Sequence, residues 1–173
     1  MTRTLTIAAG VFIGILGVIF LFVFASRAAS GWVPHHAADP MTDVITADFR
    51  VEARDRQSIL SLSCKPGKPV RAIIAANRRL GGYRPEENFI ELPARVRFDD
   101  DQATYRTAVI GDEMIGLTET TNPRAPDILA QLSAADRFAI QVDPPSGREP
   151  FLAIYGISGS RDVIEQLRAR CRI

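Results

Sequence analysis

The residues from Leu5 to Ala25, LTIAAGVFIGILGVIFLFVFA, carry no charge and no proline. As a helix rising ~1.5 Å per residue, a run of this length covers the ~30 Å hydrocarbon core of a bilayer. It is read as a transmembrane helix, and the long remainder of the chain as a domain held at a membrane surface. The competing reading is a cleaved signal peptide with Val23-Phe24-Ala25 as its small-residue exit. The apolar core of a signal peptide is shorter, ~7–15 residues, so a retained anchor is preferred. Arg3 precedes the run and Arg27 follows it, which sets orientation only weakly. A short tail before a long polar part is the usual signal-anchor arrangement. The reading is therefore a cytoplasmic tail over residues 1–4, the helix over 5–25, a linker over 26–41 and an exported domain over 42–173.

Gly10 and Gly14 form a G-x-x-x-G pattern, and Gly17 follows one turn later. Small residues at these intervals leave a groove where another membrane helix approaches closely. The plainer alternative is that glycine is common in membrane helices. Trp32 falls where the chain would leave the bilayer, the place of an interfacial anchor.

Over the whole chain the charges nearly cancel, 21 Lys+Arg against 20 Asp+Glu, so no basic face for nucleic acid is expected. The remaining length suffices for one independent core. Cys64 and Cys171 are the only cysteines. An even pair in an exported domain suggests a disulfide; two buried free thiols are the alternative. Their separation is far from C-x-x-C, which argues against redox catalysis and zinc. His35 and His36 are the only histidines and, with Met41, make a poor metal set. No metal and no cofactor is expected.

Residues 45–52, ITADFRVE, alternate, with Ala47, Phe49 and Val51 on one face, and read as a half-buried strand. Strands follow at 59–64, with Leu60, Leu62 and Cys64 inward, and at 70–76, joined by the turn Lys65-Pro66-Gly67-Lys68. Residues 89–98 and 103–110 read as a hairpin, with Pro93 implying an edge or a bulge. A helix is expected over 123–135, with Pro126 in its first turn and Asp127 following. Strands at 137–142 and 151–155 precede a last helix from Ser160, its cap, to about Arg170. Val163, Ile164, Leu167 and Cys171 share one face of that helix. The fold class is α+β: six or seven mostly antiparallel strands in a sandwich-like domain, with two short helices.

This order, SLSC, then RVRFDDDQA, then ILAQLSAADRFAIQV, then FLAIYGISGSRDVIEQLRARC, resembles the periplasmic type VI secretion-associated accessory family over about residues 58–171. Proteins of the invasion-associated locus B type share a similar ending. The resemblance implies an exported β-rich domain with Cys64 and Cys171 as partners and no enzymatic site. The chain departs from that pattern in its long apolar run and in having no tryptophan between residues 103 and 114.

Neither G-x-S-x-G, H-E-x-x-H nor a phosphate loop is present, and no histidine follows His36. The expected function is a non-catalytic accessory subunit, not an enzyme, anchored in the bacterial inner membrane. Its helix would pack into an integral membrane protein complex (secretion, respiratory or photosynthetic) in the lipid bilayer, and its domain would brace that complex from the periplasm. The alternative is a free-standing periplasmic module that binds cell-wall material or an exported protein. Its candidate surface is the loop of Arg78, Arg79, Tyr83 and Arg84, since arginine and tyrosine recur at interfaces. A small-molecule ligand is not expected.

Overall fold

The computed structural model describes residues 31–38, 45–80, 89–117, 127–143 and 149–172. The run Leu5–Ala25 with Gly10, Gly14 and Gly17, the loop residues Tyr83 and Arg84, and positions 123–126 lie outside the described residues. Among the described residues, no helix is long and apolar enough to cross a membrane.

The elements are β1 (Val33–Ala38), β2 (Ile45–Glu52), β3 (Ser58–Cys64), β4 (Arg71–Ala76), β5 (Ile90–Phe98), β6 (Thr104–Ile110), β7 (Met114–Leu117), α1 (Ile128–Ala134), β8 (Arg137–Val142), β9 (Phe151–Gly156) and α2 (Ser160–Cys171). All nine strands join one antiparallel sheet in the order β1-β2-β3-β4-β7-β6-β5-β8-β9. The sandwich expected from sequence is thus a single sheet, whose second layer is helical. The sheet curls back on itself. Ala53, just past β2, bridges Tyr155 on β9, and the Arg54 N–H donates to the Ile154 carbonyl at 2.9 Å.

Period-two alternation sets the inner face. Leu60, Leu62 and Cys64 on β3 are buried, as are Phe138, Ile140 and Val142 on β8 and Ala47, Phe49 and Val51 on β2. Helix α2 turns Val163, Ile164, Leu167 and Cys171 into the same core, where it packs against β2, β3 and α1. Cys64 and Cys171 are joined with their Cα atoms 6.3 Å apart, which staples the end of the helix to the end of β3. Beside this bond, Gly67 takes a left-handed conformation (φ 68°) in the β3–β4 turn, and its N–H donates to the Cys171 carbonyl at 3.0 Å. A residue with Cβ is strained at such a φ, so glycine sets both the turn and this contact.

Several expectations need correction. Residues 33–38, assigned to the linker, form β1, and the compact unit that holds the sheet begins at Gly31 rather than at position 42. Prolines 34 and 40 concealed this strand, but β1 is an edge, where a missing N–H costs no ladder bond. Pro93 misled in the opposite sense, because β5 is interior. β8 pairs with it only from Ala94 onward, so Pro93 lies beyond the β8 ladder. Strand β7 has four residues, too few for alternation to mark it in the sequence. Helix α1 has Asp127 as its N-cap, its carboxylate accepting from the Leu129 N–H at 3.0 Å. Gly159 rather than Ser160 caps α2, and the buried Ser160 hydroxyl donates to the Ile157 carbonyl.

Trp32 is also corrected. Its side chain is 6% exposed in the core and its indole N–H points to the Ile157 carbonyl at 3.4 Å, so it has no face left to lie in a bilayer interface. It is the one tryptophan of the chain. The expected result is blue-shifted emission from the folded protein, moving to the red on unfolding. In vesicles, brominated phospholipids should leave the folded signal unquenched; strong quenching would return Trp32 to the membrane surface.

A buried hydroxyl pair ties the curled sheet across its interior. The Ser58 and Tyr155 oxygens lie 2.7 Å apart. Burial raises the Tyr155 pKa well above its usual value; the Ser58 bond lowers it somewhat, and the charge of Asp55 raises it again. The folded state therefore holds this proton more tightly than the unfolded chain. The associated stability is complete below the unfolded tyrosine pKa of ~10 and is lost as pH rises beyond it. Urea unfolding should show about 1.4 kcal/mol less stability at pH 11 than at pH 9 from this one group. Tyr155→Phe should remove that part of the alkaline slope, and an unaltered slope would contradict the assignment.

Candidate binding surfaces

Among the described residues, Asp48 is the most buried carboxylate that the sheet turns outward, with its side chain 8% exposed. It belongs to β2, between β1 and β3, where register places His35 and Ser63 opposite it and Ser61 diagonal to it. Arg50, two residues along the same face, brings its Nε to 2.7 Å from Oδ2. Ser61 donates its hydroxyl to Oδ1, and His35 Nδ1 stands 3.8 Å from Oδ2. A buried carboxylate needs such donors, because its desolvation is otherwise uncompensated. The arrangement fixes Arg50 and His35 along the wall of a groove of about 570 Å³, with Val33, Glu52 and Ile59 also lining it.

Serine and histidine both address the aspartate here, with no serine–histidine contact. The cluster therefore lacks the relay of a nucleophilic triad, in which the base stands between the other two. What it offers is a rigid arginine beside an apolar wall. In sequence, Asp48 shows only as the polar side of a strand. The alternation gives its face, but its burial depends on β1, which the sequence did not disclose.

Arg106 is the second buried charge, 5% exposed on the inner face of β6. It donates to the Gln131 side-chain carbonyl on α1. Burial pulls its pKa below the ordinary arginine value, and the charge of Asp127 raises it part of the way back. An arginine remains protonated in such a setting, so the group acts as a fixed cation joining α1 to the sheet. The alternating pattern of TYRTAVI places an arginine inward, and that is the signal of a polar core contact by which this residue could have been found.

The Arg78 loop is less free than expected. Arg78 donates through one terminal nitrogen to the Pro150 and Glu149 carbonyls, at 2.8 and 3.3 Å. Arg79 pairs with Asp112 at 3.4 Å while staying largely exposed. Both side chains thus serve to hold the end of β4 against neighbouring segments. At the opposite end, the Asp99 carboxylate accepts from the Asp136 and Arg137 N–H groups at 3.0 and 2.8 Å, so it closes a turn. No group of three or more metal-ligating side chains occurs among the described residues.

Comparison of the chain with protein-family models, with curated proteins and with solved structures returned no match.

Proposed function

We propose that this protein is a membrane-anchored accessory subunit, whose N-terminal helix packs into an integral membrane complex and whose domain braces that complex from the periplasmic side. The observation that carries the reading is the staple between Cys64 and Cys171. Such bonds persist in oxidising compartments, which suits an exported domain. A second feature supports a partner. The outward face of β3, β4, β7 and β6 aligns Ile59, Ala75 and Met114 in one row, and Ile73, Gly116 and Val109 in the next. Antiparallel sheets normally turn polar residues to water on such a face, and a contiguous apolar strip is the mark of a contact surface.

The test is gentle solubilisation of native membranes, affinity isolation of the tagged chain and mass spectrometry of what accompanies it. A stoichiometric set of integral membrane proteins is the expected result. Recovery of the chain alone, or with soluble exported proteins only, would sink the subunit reading. The free-standing binding module would then take its place, a reading favoured by the groove beside Arg50 and Val33.

A further inference from the structure

The outward face of the other half of the sheet has a different chemistry. Register aligns Tyr105, Arg95, Gln141 and Leu152 in one row across β6, β5, β8 and β9. The neighbouring row runs Arg97, Ala139 and Ile154, and is continued by Arg54, whose N–H meets the Ile154 carbonyl. Arginines thus stand at both ends of a small apolar floor, about three inter-strand spacings or ~14 Å apart. A shallow hollow of about 280 Å³ lies over that floor. Leu152, in the lining of the hollow, is 57% exposed, and Tyr105, opposite Arg95 in the register, is 74% exposed.

Among the described residues, no carboxylate neutralises these arginines. The ion pairs found among the described residues engage Arg50, Arg79 and Arg137, and leave Arg54, Arg95 and Arg97 without a carboxylate partner there. Arg95 is nonetheless held in place. One terminal nitrogen donates to the Gln141 side-chain carbonyl at 2.8 Å, and the Gln141 amide donates in turn to Asp143 at 3.0 Å. This chain of bonds fixes the guanidinium and leaves its remaining N–H groups for an acceptor. A guanidinium oriented beforehand loses less freedom on pairing with a carboxylate.

We propose that this face docks an acidic segment of a partner protein, one with carboxylates on either side of an apolar side chain. Charge complementarity selects the acidic residues. The Ala139–Ile154 floor with Leu152 selects the apolar one, and the ~14 Å separation corresponds to about four residues of extended chain. Tyrosine and arginine supply the anchoring contacts that dominate such interfaces. The surface stands apart from the apolar strip on β3, β4, β7 and β6, and does not depend on the subunit reading.

The experiment is selection of a displayed library of random twelve-residue peptides on the full-length chain in mild detergent, followed by titration of the enriched peptides. The expected result is enrichment of Asp and Glu around a central apolar residue. Affinity should fall at least tenfold on Arg95→Glu with Arg97→Glu, and on raising salt, while Arg161→Glu on the exposed side of α2 has no such effect. Enrichment without acidic residues, or binding indifferent to the Arg95 and Arg97 reversals, would overturn the proposal. So would charge-dependent binding to phosphatidylglycerol vesicles in the absence of any acidic peptide preference, which would make the face a lipid contact. Circular dichroism of each variant ensures that lost binding is not lost folding, and Arg97→Gln provides a milder second variant.

Discussion

Cys64→Ala with Cys171→Ala is expected to lower the stability of the domain by about 4–5 kcal/mol, the loop-closure value for a cross-link of this span. The two residues are 107 apart in sequence, so the bond constrains most of the folded unit in its unfolded state. Both positions are nearly fully buried, and the alanine pair introduces no hydroxyl into the core. Domains of this size hold only ~5–15 kcal/mol in total, so the loss removes a large share of it. The effect should also be local. The Cys171 carbonyl accepts from Gly67, and Arg170 lies 5.8 Å from the centre of the Phe49 ring. Without the staple, the last turn of α2 loses its covalent tie to β3. Hydrogen exchange should then rise first in residues 167–172 and in the β3–β4 turn. Urea unfolding of the oxidised and reduced forms of the same wild-type chain gives the cleanest measure. A difference below about 1 kcal/mol would mean that the reduced chain keeps its long-range structure unaided.

The parts of the fold legible in sequence are those where alternation or helical spacing ran long enough. Leu60, Leu62 and Cys64, and Val163, Ile164, Leu167 and Cys171, lie on the faces that their spacing predicts, because each set recurs at the period of its element. The turn at Gly67 was legible for the same kind of reason: Pro-Gly between two strand-like runs. What sequence withheld is long-range. Nothing in VPHHAA marks its pairing with Ile45–Arg50, and its proline argues against a strand unless the edge position is already known. Asp48 thus looked like an ordinary solvent-facing residue, whereas β1 and β3 on either side bury it. Trp32 followed a membrane rule because of its distance from the apolar run, but its contact is Ile157, 125 residues away. The arginine face was invisible too. Arg54, Arg95 and Arg97 come from two separate segments, and only the closure of β2 onto β9 brings them onto one surface.

That closure leads to the second large effect. Phe138→Ala is expected to destabilise the domain by about 3–5 kcal/mol, the range for removing a buried aromatic ring. Phe138 has no exposed surface and occupies β8 between Phe98 on β5 and Tyr155 on β9. Its ring centre lies 5.2 Å from that of Phe98 and 6.0 Å from that of Tyr155, both stacked. The row continues through the Tyr155 hydroxyl to Ser58 on β3, so one ring spaces both sides of the curled sheet. Alanine would leave a cavity between the Phe98 and Tyr155 rings, the second held in place by its bond to Ser58, and the cost should sit at the upper end of the range. Phe138→Leu keeps most of the volume and loses the stacking, so it should cost about 1–1.5 kcal/mol. Thermal and urea unfolding of both variants measure this directly. If the two substitutions cost the same, the aromatic stacking rather than filled volume sets the energy of the row; if neither costs more than about 1 kcal/mol, the rings do not hold the sheet closed.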